Sequence, residues 1–311
     1  MMSDEQLNGI QAFIAVAQSG SFTLAGERLC RSRSAIGKAV AKLESRLGVR
    51  LLQRTTRRVA LTDEGAAFLQ HSLRAFNALE QAVDVAHAQR GEVQGTIRLS
   101  VPVAFGRCWI LPVIQRLVQR YPALRPEVSF ANQPIALDDE RVDIAVRIGP
   151  QPNAPTLIAR QIGVQHACLC AAPALLARCP DIDAPEALAH TPCLVSQPYQ
   201  RWPLRDRDGE TRHYAVRQAM VLDDVMALRD AALAGLGVAR LPDWLAAPLI
   251  RRGALIALLT SAAPAGRPIH LLWPSDKYAP RRRRVTIDAL TAHFSPTPPW
   301  LRDPPDDRGD A

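Results

Sequence analysis

Through the first ninety residues, apolar positions recur at helical spacing and are cut by turn residues. Leu7, Ile10, Ile14 and Ala17, with Phe13 alongside, predict a helix that Gly20-Ser21 breaks. Phe22, Ala25 and Leu29 mark a second, shorter stripe, with Thr23 as its expected N-cap. Cys30-Arg31 makes a tight connection, and Ser32 is placed to cap a third helix reaching about Leu47. At about 100° per residue, Ile36, Val40, Leu43 and Leu47 share one narrow seam of that helix. Its opposite face holds Ser34, Lys38, Ala41 and Ser45, flanked by Gly37 and Lys42. Gly48 ends it. Leu51 to Arg54 and Val59 to Leu61 predict two short strands around Thr55-Thr56-Arg57-Arg58, and Thr62-Asp63-Glu64 opens a long helix to about Ala88. The stripe Leu69, Leu73, Phe76, Val83 on that helix needs cover, from a second copy of the helix or from the chain's own domain.

From Gly91 the pattern changes to alternating strands and helices. Strands are expected at 96–101, 143–147, 166–171, 193–196, 238–241 and 269–273, and helices at 106–120, 224–234 and 282–294. This predicts an α/β domain over residues 91–300 with both sheet faces covered. Ser295 to Ala311, rich in Pro, Asp and Arg, is expected to fray, with 301–311 as a tail. No internal repeat is visible.

Charge sharpens the picture through its location. The net charge is +8, and ten Lys or Arg stand between Arg28 and Arg58 against one acid, Glu44. Residues 1–90 hold 12 basic and 8 acidic side chains; the other 26 and 22 are spread over the rest. The excess is thus one compact patch, suited to phosphates or to a solvated face. The start, Met1 to Glu5, lacks the basic and apolar regions of a signal peptide, and no apolar run approaches the ~18 residues of a membrane span. A cytoplasmic protein is expected, and its six dispersed cysteines fit reduced core thiols.

The third helix carries the most specific chemistry. A face of small and basic residues can approach a major groove closely, and a recognition helix reads base edges with its N-terminal residues. Arg33, Ser34 and Lys38 are the candidates for groove contacts, with Arg33 able to pair bidentately with guanine and Ser32 capping the helix. Thr23, Arg54, Arg57 and Arg58 are candidates for phosphates.

The ordered set Gly20-Ser21-Phe22-Thr23-Leu24-Ala25, Arg31-Ser32-Arg33-Ser34-Ala35-Ile36, Leu43-Glu44, Leu47-Gly48-Val49-Arg50-Leu51-Leu52 and Leu61-Thr62-Asp63-Glu64-Gly65 resembles the LysR-type transcriptional regulators. Gly95 to Ser100, Leu233 to Gly237 and Leu241-Pro242 extend the resemblance over nearly the whole chain. It implies a winged helix-turn-helix over 1–63, a dimerising linker helix over 64–90, and a sensor like type 2 periplasmic binding proteins over 91–300. In such a sensor two α/β lobes close over a ligand, here lobe 1 at about 91–162 and 268–300 and lobe 2 at about 163–267. It also implies double-stranded DNA as partner, a small-molecule effector with organic anions among the candidates, and a homodimer or homotetramer. Two departures stand out: Gly37 where the family often has Ser, and Gly26 where Ala is common, which should weaken its helix by roughly 1 kcal/mol unless something compensates.

By the same resemblance the effector cleft draws on Ser100, Pro102, Val103, Phe130, Arg147, Ser196, Asp224 and Val225, with Arg147 alternatively a structural ion-pair partner. His166, Cys168 and Cys170 alternate on a predicted strand, but as a metal or redox site they lack a fourth ligand. Gly235-x-Gly237 lacks a third glycine, and Arg281 to Arg284 reads as a solvated helix start with a secondary DNA contact as the alternative. No G-x-S-x-G, H-E-x-x-H or phosphate loop is present, so no enzyme, cofactor or metal is expected. The rival reading is a solute-binding or transferase-like α/β protein whose N-terminal helices are structural.

Overall fold

The structure, a computed structural model, describes residues 3–54, 59–88, 93–132, 142–151, 154–179, 182–199, 201–206, 208–275 and 279–302. They fall into two compact units. The smaller contains α1 (Asp4–Ser19), α2 (Phe22–Arg28), α3 (Arg33–Leu47), the strands β1 (Leu52–Arg54) and β2 (Val59–Leu61), and α4 (Asp63–Ala88). Its core is Ile10, Phe13, Val16, Ala25, Ile36, Val40, Leu43, Leu51, Leu52 and Leu69, with Phe13 and Phe68 rings 5.6 Å apart. Phe68, Leu73 and Phe76 of α4 pack partly buried on this cluster. The first half of the α4 stripe is therefore covered by its own domain; the side chain of Val83 lies outside the described residues.

Gly26 turns out to be required where it stands. A Cβ there would lie 2.5 Å from the Arg31 carbonyl oxygen, because Cys30 at φ 52 folds the chain back until Arg31 N donates to Gly26 O at 2.8 Å. The close turn compensates for the propensity that glycine forfeits.

The larger unit holds two five-stranded mixed sheets. The first is built from β3 (Gly95–Val101), β4 (Leu124–Phe130), β5 (Ile144–Ile148), β6 (Leu157–Gln165) and β14 (Arg267–Pro274), in the order β4-β3-β5-β14-β6. The second is built from β7 (Ala167–Ala171), β8 (Pro192–Val195), β11 (Arg217–Val221), β12 (Val238–Pro242) and β13 (Ile256–Leu258), in the order β11-β8-β12-β7-β13. In each sheet four strands run one way and one interior strand runs the other: β14 in the first sheet, between β5 and β6, and β7 in the second, between β12 and β13. A separate hairpin, β9 (Arg201–Arg205) with β10 (Thr211–Ala215), lies beside the second. Alternation covers both faces of the second sheet, with Leu169, Cys193 and Val195 in one cluster and Cys170, Leu194 and Leu241 in another.

Helices α5 (Val103–Phe105), α6 (Leu111–Arg120), α7 (Pro173–Leu176), α8 (Val225–Leu233), α9 (Asp243–Arg251) and α10 (Arg281–Phe294) complete this unit, with a π-turn at Gly106–Ile110 between α5 and α6. The chain leaves the first sheet after Gln165 and returns to it at Arg267. The sheets are also joined by packing. Trp244 of α9 sits edge-on to Phe105 at 5.5 Å and donates its ring N–H to Gln165 Oε1 at 2.7 Å.

Three expectations need correction. Residues 295–302 do not fray. Trp300 is 1% exposed, buried among Phe105, Trp109 and Phe294, and Arg302 donates to the carbonyls of His293, Ser295 and Thr297. The buried indole outweighs the local Pro-rich composition. Arg282 and Arg283 are buried at the start of α10 rather than solvated, because that turn packs against β3; a Cβ on Gly95 would meet the Arg282 guanidinium at 3.6 Å. Leu47, last in its helix, is exposed, since the seam has passed the end of the core.

Candidate functional site

Helix α3 is placed by its ends. Ser32 is extended, and its Oγ accepts from Ala35 N at 3.2 Å; Gly48, left-handed at φ 72, closes the other end. Ile36, Val40 and Leu43 anchor the inner face in the core. That leaves Arg33, Ser34, Lys38, Ala41 and Ser45 exposed together on the outer one. Thr23 is exposed in the first turn of α2 but does not cap it. The cap is Ser21, whose Oγ accepts from Thr23 N at 3.3 Å and Leu24 N at 3.4 Å, because the extended residue after left-handed Gly20 is the one that faces the free N–H groups.

Partners divide the basic residues. Arg28 donates to Gln18 Oε1 at 2.8 Å, Arg31 to Asn8 Oδ1 at 3.0 Å, and Lys42 pairs with Glu5. The bond and charge from Lys42 hold the Glu5 carboxyl below its usual range. Arg33 and Lys38 have no hydrogen-bond or ion-pair partner among the described residues.

Glu44, the lone acid of the basic stretch, is structural. Its Oε1 accepts from Leu51 N at 2.8 Å and Leu52 N at 3.0 Å, tying α3 to the base of the hairpin. Thr62 fastens the other leg, donating to Arg50 O at 2.7 Å and accepting from Gly65 N at 2.9 Å. The sequence marks Thr62 as the capped start of α4 but not its bond to Arg50, nor the tie through Glu44, although an acid isolated among ten cations was a signal. β1 and β2 pair antiparallel with Arg54 opposite Val59; Arg57, Arg58 and the side chain of Arg54 lie outside the described residues.

In the larger unit Ser100, Pro102, Val103 and Phe130 come together at the carboxyl ends of β3 and β4, where Val101 and Phe130 are register partners. Arg147 reaches across to them, donating to Ser100 Oγ at 2.9 Å, Ser100 O at 3.1 Å and Val146 O at 2.8 Å. Burial lowers the guanidinium's pKa from its ordinary value. Ser100 itself is fully buried, while Phe130 is 37% exposed. Val103 N donates to Asn132 Oδ1 at 3.1 Å, a partner not foreseen.

Ser196 follows β8 in the other sheet, half-buried. Asp224 caps α8, its Oδ1 accepting from Ala227 N at 2.8 Å, so its carboxylate is already engaged. Val225, the first residue of α8, packs on the clusters of both sheets and so lies where the lobes meet. His166 is exposed just before β7, whereas Cys168 and Cys170 pack into the second sheet's core, so the three do not converge.

Comparison with known proteins gives one consistent result. Residues 7–66 match the family described as "Bacterial regulatory helix-turn-helix protein, lysR family", and residues 90–295 match "LysR substrate binding domain". The HTH-type transcriptional regulator PtxR of Pseudomonas aeruginosa is 32% identical over 296 residues, covering 94% of each chain. Among solved structures, CrgA, a LysR-type transcriptional regulator from Neisseria meningitidis, is 29% identical with a TM-score of 0.60, covering 95% of this chain and 99% of that one. Full-length AphB, the Vibrio cholerae virulence activator, is 27% identical with a TM-score of 0.62, covering 93% and 99%.

Proposed function

The chain belongs to the LysR family of transcriptional regulators, and we propose that it reads DNA with α3 and is switched by a small effector held between its two sheets. The observation that carries this is the outer face of α3. Arg33, Ser34 and Lys38 are exposed, and both cations lack an internal partner among the described residues. Placed in a major groove, Arg33 would pair with a guanine and Ser34 and Lys38 would meet neighbouring base edges. Thr23, Arg54, Arg57 and Arg58 would hold phosphates and set the register. If the N-terminal helices were mere packing, as in a solute-binding or transferase-like protein, nothing would call for a capped helix with this face left open.

The working domains are then 1–63 for DNA, 64–90 as the linker helix, and 91–300 for the effector in two lobes. Ser100 and Arg147 form a pre-bonded polar pair near Pro102, Val103 and Phe130. With Ser196, Asp224 and Val225 on the other lobe, this cleft suits a small organic anion whose binding shifts the lobes and the assembly on DNA. Among the described residues no helix is long and apolar enough to cross a membrane. We place the protein in the cytoplasm, acting by binding rather than catalysis.

Gel-shift titration on the DNA beside its own coding sequence, over a salt series, tests the reading. Arg33→Ala should cost about 1–3 kcal/mol and relax specificity at one position. Replacing Arg57 and Arg58 by Ala should weaken binding to all DNA and flatten the salt slope by roughly 2. A salt slope unchanged in the double variant would remove the hairpin from the interface.

A further inference from the structure

A cavity of about 100 Å³ lies within the second lobe, between one face of its sheet and the layer formed by β9 and the segment after β13. Arg240, Leu169 and Leu258 occupy one row across β12, β7 and β13, so all three project to the same side. Leu204 and Leu259 close the apolar wall, and Thr260 adds a hydroxyl. Among the described residues lining the cavity, Arg240 is the only charged one. Its Nε is buried with no hydrogen-bond partner, and no carboxylate pairs with it among the described residues. The charge that acts on it is Arg267, another cation; burial and that repulsion together lower its pKa. A half-buried guanidinium with a buried, unpartnered Nε is held partly out of water, and an anion arriving from outside relieves that cost.

We propose that this cavity is a second ligand site, separate from the cleft, that binds a short organic carboxylate on the Arg240 guanidinium with its alkyl tail among the leucines. A cavity of roughly 150 Å³ accommodates benzene, so this one suits an acid of about three carbons. None of the eight cleft candidates lines it, so the proposal stands apart from the cleft assignment. Its ligand would touch Leu258, Leu259 and Thr260, on the segment that carries the chain back to the first sheet.

Thermal melting of the full chain at fixed ionic strength tests it, with sodium propionate, propionamide and sodium chloride as probes. Propionate should raise Tm in a saturable way in the native protein, and a saturable shift should remain in Ser100→Ala, where the cleft alone is altered. Propionamide and chloride should leave it in place. Arg240→Met should fold, melt above the native protein without ligand because the unpaired charge is gone, and lose the propionate shift. Should that variant fail to fold, Arg240→Lys keeps the charge but not the planar fork and should weaken propionate by roughly tenfold. No propionate shift in the native protein, an equal shift from propionamide or chloride, loss of the shift in Ser100→Ala, or an unchanged one in either Arg240 variant would each overturn the site.

Discussion

A methyl group added at Gly26 would gain helix propensity and lose space. Ala is favoured over Gly by roughly 1 kcal/mol in a helix, but here the Cβ would meet the Arg31 carbonyl oxygen at 2.5 Å. Backbone must move to relieve that contact, and such overpacking costs about 1–3 kcal/mol. Gly26→Ala is therefore expected to lower stability in urea denaturation, against the propensity scale; a stabilised variant would show that the turn at Cys30-Arg31 yields easily. The thiols divide just as sharply. Cys30 is exposed, whereas burial pushes the Cys193 thiol up to about 12, and the bond to Cys168, with burial, raises Cys170 as well. At pH 8, iodoacetamide should label Cys30 in the native protein and reach Cys170 and Cys193 only after denaturation, as read by peptide mass spectrometry. Rapid native labelling of Cys193 would contradict its burial. Residue identity alone revealed the cap at Ser32, but not that Ser21 displaces Thr23, since that depends on which residue is extended after Gly20.

Elements were legible where the signals were local. α3 carries its own stop signs in Ser32 and Gly48, and the short hairpin is bounded by the paired apolar residues of β1 and β2. β6, β11 and the β9–β10 hairpin escaped notice for a common reason. β11 is exposed throughout and β6 along much of its length, so neither shows the alternation of a half-buried strand, and the hairpin carries Pro203 and five arginines or histidines. The segment 295–302 was misjudged because its order comes from distant partners. Arg251 of α9 donates to Trp300 O at 3.3 Å and Arg302 O at 2.6 Å, so these last described residues bind α9 to α10. Trp300→Ala should cost about 3–5 kcal/mol in the unfolding free energy of the larger unit. A chain ending at Phe294 should lose more, and unaltered melting in both would mean the segment only rests on the surface.

At the scale of the whole molecule, the division into a DNA-reading unit and a two-lobed sensor was readable from the change in periodicity near residue 91 and from one ordered set of motifs. The contact between Ser100 and Arg147 was less legible, because they are 47 positions apart and meet only across neighbouring strands. Strand order has a consequence of its own. β14 is an interior strand of the first sheet, between β5 and β6, and β6 pairs with it alone among the described strands. Gln165 thus waits for Arg267, 102 positions later (267 − 165), before it has a partner. During synthesis the ribosome must release the entire second lobe before the first can close. A nascent chain stalled with residues up to 266 outside the exit tunnel should resist protease in 167–258 while 157–165 is cut, and eight more residues should protect both. Early protection of 157–165 would mean that another strand stands in for β14. The lobe that begins first is finished last, so a stop codon or slow codon cluster just ahead of Arg267 would expose β5 and β6 as unpaired edges to every neighbouring nascent chain.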